Sequence, residues 1–213
     1  ELAPFSLPEI GEATSGWEAA LRRVWTRGGF PRSYLAGSDA ASLAWREDFI
    51  RTFLERDIPQ LGIRLPSQTL RRFWMMCAHS HGQLLNSSQL GQSLGLSHTT
   101  IRSYVDLLEQ TFLLRVLLPF AANLKKRLVR SPKIYLRDSG LLHALLELPS
   151  ASALLGHPVY GASWEGLLLG LGLRVNTETI LRFKSMAFSR KENRTSPVFW
   201  VPARANCSTP AEV

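Results

Sequence analysis

The sequence predicts a mainly α-helical protein with a small β component, organised around a winged helix-turn-helix. Three observations predict this. Residues 86–120, NSSQLGQSLGLSHTTIRSYVDLLEQTFLLRVLLPF, hold two capped helical periods separated by a glycine turn and followed by a nearly apolar run. A basic stretch and a second short apolar run, Ile134-Tyr135-Leu136, come next, in the order a wing and its return strand require. Upstream of position 86, apolar residues recur mainly at helical spacing.

Ser87 and Ser88 are N-cap residues for the first helix of the pair, which ends at Leu94, and Gly95 supplies the left-handed conformation of a tight turn. Ser97 caps the second helix, expected over 98–110. There Ile101, Tyr104, Val105 and Leu108 form an apolar stripe, while His98, Thr99, Arg102 and Ser103 face the other way. Gly91 lets the second helix approach, and Leu90, Leu94 and Leu96 complete the contact. Residues 112–120, aromatic at the start and closed by Pro119 and Phe120, read as a buried strand.

The 213 residues suffice for one large or two small domains, and a hydrophobic fraction of 45% argues for a folded core. A net charge of +8 and a pI near 10.1 suit a polyanionic partner. Cys77 and Cys207 give no disulfide framework, so a reducing compartment, the cytoplasm, is expected. The opening ELAPFSLPEIGE lacks the features of a secretory signal, and no apolar run approaches the roughly 18 residues of a membrane span. No membrane partner is therefore expected.

Taken in order, 2–15 is a proline-containing connector. Trp17, Ala20, Leu21, Val24 and Trp25 keep helical spacing until Gly28-Gly29, both free to take positive φ, and Pro31. Asp39 reads as the N-cap of a long helix to about Arg56, with Leu43, Ile50, Phe53 and Leu54 inside and Arg46, Glu47, Arg51 and Glu55 mainly outside; Ile58-Pro59 ends it. A further helix starts at Ser67 or Thr69, places Leu70, Phe73, Trp74, Cys77 and His81 on one face, and is broken by Gly82. Residues 121–133, AANLKKRLVRSPK, form the wing, with Lys125, Lys126, Arg127, Arg130 and Lys133 concentrated beside the helix pair. Asp138 caps a last leucine-rich helix.

Several tempting constellations read as structural. Cys77, His79 and His81 lack the further ligands that tetrahedral zinc needs, so partly buried histidines at a helix end are expected instead. Asp48, Glu55 and Asp57 sit among Arg46, Arg51 and Arg56 as a salt-bridged face. Ser139, beside Asp138 and one turn before His143, lacks a nucleophile elbow and reads as part of a helix cap.

The blocks PFSLPEI, RGGFPRSYLA, WREDFIRTFLERDIPQLGI, the 82–120 stretch, KRLVRSPKIYLRDSGLLHALL and LLGHP…GASWEG, in this order, resemble prokaryotic AAA-type ATPases that carry the domain of unknown function DUF 4143. The resemblance covers 2 to about 169. It implies a connector and helical lid remnant over 1–38, a helical plus winged-helix part over 39–147 and an incomplete nuclease-like α/β piece over 148–173. Beyond it, 174–213 is a tail that reads as disordered, best explained by truncation or a frame change. It also implies that ATP and magnesium belong only to the intact family, because no G-x-x-x-x-G-K-[ST] loop occurs here and Glu165 stands without the further acids a nuclease needs. By the same analogy Arg27 and Arg56 would touch nucleotide or a neighbouring subunit.

The expectation is thus a non-catalytic fragment without cofactor or metal. It would bind duplex DNA through His98, Thr99, Arg102 and Ser103 in the major groove, with Lys125, Lys126, Arg127 and Arg130 on phosphates. The alternative is a protein-interaction module that docks on an ATPase core or another protein partner, its basic residues only solubilising it.

Overall fold

The computed structural model describes residues 17–62, 65–118 and 131–171, all of which fall in one compact unit. It is mostly helical, with one small two-stranded antiparallel sheet.

Helix α1 (Trp17–Arg27) buries Ala20, Leu21 and Val24 and stops where Gly28 takes φ +83°. Of the two glycines expected to adopt positive φ, only Gly28 does so. Its turn is fixed from a distance, because a Cβ at Gly28 would strike the carboxylate of Asp138, and one at Gly140 would strike the Arg27 carbonyl. Helix α2 (Pro31–Tyr34) begins with proline at its first turn, where the missing N–H is harmless.

Helix α3 (Asp39–Thr52) is capped by Ser38, whose side chain accepts from Ala41 N; Asp39 is the first helical residue rather than the cap. The chain does not stop at Ile58-Pro59. It widens into a π-helical turn (Phe53–Asp57) and continues as α4 (Ile58–Gln60), the wider turn being a way to carry a proline without leaving the helix. Arg46, expected outside, is buried at 3% exposure. The helix rests on α8 (Ser139–Leu145) at that point, and a guanidinium with backbone acceptors fills the contact.

Helix α5 (Ser67–His79) contributes Leu70, Phe73, Trp74 and Cys77, all fully enclosed. It ends at His79, before Gly82. A short strip then runs antiparallel to strand β2 (Lys133–Leu136): Gly82 N donates to Ile134 O, Ile134 N to Gln83 O and Leu85 N to Pro132 O.

Helix α6 (Ser87–Leu94) is capped by the Asn86 side chain, which accepts from Gln89 N; Ser87 and Ser88, expected as caps, lie within the first turn. Helix α7 (His98–Gln110) follows after a three-residue turn and buries Ile101, Tyr104, Val105, Leu107 and Leu108. The strand expected over 112–120 is shorter, β1 (Leu114–Leu117). Phe112 is half exposed at φ +59°, where it reverses the chain after α7, and Leu118 is 76% exposed. Positions 119 and 120 lie outside the described residues. β1 and β2 pair antiparallel with Leu114 opposite Leu136 and Val116 opposite Ile134, so one sheet face feeds the core. Helix α9 (Ala151–Leu155) and helix α10 (Tyr160–Gly170) complete the unit.

Candidate nucleic-acid interface

The turn between α6 and α7 is built by local chemistry. Gly95 takes φ +67° and Ser97 accepts from Thr100 N at 3.1 Å, so one helix ends and the next begins without an unmet cap. Gly91 is required for close approach, since a Cβ there would lie 2.6 Å from the Leu96 carbonyl oxygen.

This geometry leaves His98, Thr99, Arg102 and Ser103 together on the exposed side of α7. Thr99 shares a hydroxyl contact of 2.7 Å with Ser97, and Ser103 donates to the Thr99 carbonyl at 3.2 Å. Arg102 forms no ion pair with any described residue. Asp106, also exposed, stands one turn further along. Lys125, Lys126, Arg127 and Arg130 lie outside the described residues; in sequence they fall between β1 and β2.

The remaining candidates are tied into the structure. Arg27 pairs with Asp39 at 2.7 Å and donates to Ala36 O, and Arg56 pairs with Asp57. Asp48 pairs with Arg51 as expected, whereas Arg46 has left that face for the interior. Burial raises the Cys77 thiol far above its usual range. Among the described residues no group of three or more His, Cys, Asp or Glu side chains is placed to hold a metal ion.

Sequence reasoning missed a buried polar network. Asp138 caps α8 through Leu141 N at 2.8 Å, as expected, and also accepts from Gly29 N at 2.7 Å, 109 residues away along the chain. Burial raises its carboxyl pKa against these N–H bonds and the Arg46 charge. Arg46 donates to the carbonyls of Gly140, Thr26 and Ser42. Ser139, read as part of a cap, instead donates to Val24 O. The Ser163 hydroxyl bridges Trp25 Nε1 at 2.9 Å and His143 Nε2 at 2.7 Å. Desolvation lowers His143 to about 3, opposed by a bond to the Thr26 carbonyl and assisted by Arg46. The cleft beside this network, lined by Arg27, Arg46, His143 and Ser150, has a volume of about 10 Å³, room for one water rather than a substrate.

A family model, the domain of unknown function DUF8612, matches residues 18–152. The chain belongs to that family. It is 47% identical over 169 residues to the uncharacterized protein Rv2008c of Mycobacterium tuberculosis and, to the same extent, to the uncharacterized protein Mb2031c of Mycobacterium bovis. The match takes in 79% of this chain but 37% of each relative, so the chain spans well under half the length of these relatives. No solved structure matches. These findings overturn the resemblance to AAA-type ATPases with DUF 4143: the matching model is a different one, and neither relative is described as an ATPase. The resemblance rested on short blocks, several of them turns and caps that unrelated helical domains share. The lid remnant, the nuclease-like piece and the nucleotide role of Arg27 and Arg56 lose their basis with it.

Proposed function

We propose that this DUF8612 chain is a duplex-DNA-binding module of the winged-helix kind that acts without catalysis. One observation carries the reading: the second of two closely turned helices presents His98, Thr99, Arg102 and Ser103 to solvent, with Arg102 in no ion pair with a described residue. A helix of 13 residues is about 20 Å long, enough to lie in a major groove with its first two turns on base edges. The order of elements supports the same reading, with α5, the 82–85 strip, α6, α7, β1 and β2 following the plan of a winged helix and β2 lying between the strip and β1. The basic run Lys125, Lys126, Arg127 and Arg130 occupies the wing position in sequence and would supply phosphate contacts. The separated cysteines, Cys77 among them buried, suit a cytoplasmic setting, and no helix among the described residues is long and apolar enough to cross a membrane.

A second reading, a protein-docking module, draws on a different surface. Phe30, Trp45 and Phe49 form a half-buried aromatic cluster beside α2 and α3, with centroids 5.0–5.8 Å apart. Equilibrium binding to labelled duplex DNA across a salt series separates the two. DNA binding predicts an affinity that falls steeply with salt, a slope reduced when Lys125, Lys126, Arg127 and Arg130 become alanine, and weaker binding for Arg102→Ala. No binding at low salt, or equal binding by both variants, removes the DNA reading in favour of the aromatic surface.

A further inference from the structure

The two-stranded sheet has a second face. Opposite the core-facing Leu114, Val116, Ile134 and Leu136, the alternating positions are Arg115, Leu117, Lys133 and Tyr135, followed by Arg137, whose N–H extends the ladder to Leu113 O. Three of these five side chains are cationic, and α10 lies against them. Arg115 Nη1 donates to Leu169 O at 2.5 Å, Lys133 Nζ stands 3.8 Å from Glu165, and a Cβ at Gly170 would touch the Arg137 carbonyl oxygen.

The charges beneath this helix are poorly balanced. Among the described residues Glu165 is the one carboxylate within ion-pair reach of these cations, and it is itself half exposed. Arg137 leaves Nε enclosed with no acceptor among the described residues, its guanidinium lying 5.1 Å from the Phe112 ring centre. A sheet face built only to pack a helix has no need of three cations with one acid between them, since each costs desolvation that packing does not return.

Besides its contacts with the cations, α10 is held at two places: Ser163, in its first half, bonds Trp25 and His143, and a second side chain ties the helix to the sheet. His81, on the chain after α5, accepts from Leu136 N through Nδ1 at 3.0 Å and bonds the Ala162 carbonyl through Nε2 at 3.1 Å. It thereby joins β2 to α10. The helix reaches the imidazole because position 166 is glycine: a Cβ there would lie 2.5 Å from His81 Nε2.

We propose that α10 is an internal cover, latched to the sheet by His81, over a partly hidden polyanion-binding face, and that lifting it fully frees the half-buried Arg115, Lys133 and Arg137 for the phosphate backbone of duplex DNA. The choice of DNA rests on the function proposed above; the existence of the cover does not. Gly166→Val and His81→Ala variants of the 213-residue chain each break the latch by a different route, one by collision and one by loss of both hydrogen bonds, so a variant that fails to fold leaves the other. Amide exchange over 160–170 reports whether α10 has lifted. Heparin elution reports the exposed charge, and the salt slope of DNA binding reports the phosphates contacted.

The expected result is loss of α10 protection, later elution from heparin than the native chain, and a log–log salt slope steeper by up to about 3, one phosphate per freed cation. Adding Arg115→Ala, Lys133→Ala and Arg137→Ala to the unlatched chain should cancel all of the gain. Lifted α10 with unchanged heparin elution overturns the hidden face, and retained protection in both folded variants overturns the latch. Later heparin elution without DNA binding by either native or unlatched chain sustains the cover and overturns DNA as its partner.

Discussion

Asp138 and Arg46 share one enclosed region, and each is held mainly by backbone groups. The carboxylate satisfies Gly29 N and Leu141 N, while the guanidinium satisfies the carbonyls of Gly140, Thr26 and Ser42. Removing either leaves a buried charge and several polar groups without partners. Asp138→Ala should therefore lower unfolding stability by about 3–5 kcal/mol, read from the shift in urea midpoint. A change under about 1 kcal/mol would mean that water satisfies the released groups and that the network does not hold α1, α3 and α8 together. The sequence could not reveal this arrangement. Arg46 sits beside Glu47 in a helix with Arg51, a pattern typical of a solvated face, and one of its acceptors is a backbone carbonyl 94 residues away. A backbone acceptor leaves no mark in residue identity.

At the scale of elements, the α6–α7 pair was readable because its determinants are local. An αL glycine, a serine cap and an apolar stripe lie within about four turns of one another, and each is a property of residue type. Gly95→Ala should cost about 1 kcal/mol, because the Cβ is strained at φ +67° though nothing crowds it. Ser97→Ala removes the bond to Thr100 N and should cost about 0.5–2 kcal/mol. Both losses are measurable by thermal melting. The contrast with β1 shows where local signals fail. The apolar run after α7 suggested one long buried strand, but Phe112 is consumed in reversing the chain and Leu118 points to solvent. Apolar composition alone does not say which residues a sheet will pair. Of the candidate DNA-contacting residues, the four on α7 follow from its stripe by elimination, whereas the role of α10 over the sheet depends on glycine and histidine contacts with no periodic signature.

For the molecule as a whole, two enclosed histidines set the response to acid. His81 is lowered to about 4 by desolvation, against a bond to the Ala162 carbonyl; the Leu136 amide and the Tyr135 ring also face it. His143 is lowered to about 3 by desolvation, with Arg46, His81 and His157 adding like charge and the Thr26 carbonyl opposing. The unfolded chain binds both protons near pH 6.5 while the folded chain refuses them until much lower pH, so the folded state holds fewer protons across that interval. Stability is then complete above about pH 6.5 and falls as pH drops towards 4, by about 1.4 kcal/mol per unit for each histidine. Asp138 acts in the opposite sense: with its pKa raised by burial, it takes up a proton more readily folded than unfolded and offsets part of the loss just above its ordinary value of 3.8. Urea denaturation at pH 7, 6, 5 and 4 should therefore show a decline that begins well above the carboxylate range. His143→Gln should reduce the slope by about half, since it removes one of two proton-excluding rings. A profile flat from pH 7 to 5 would show that the rings titrate alike in both states, and that α8 and α10 open to water far more readily than their packing indicates.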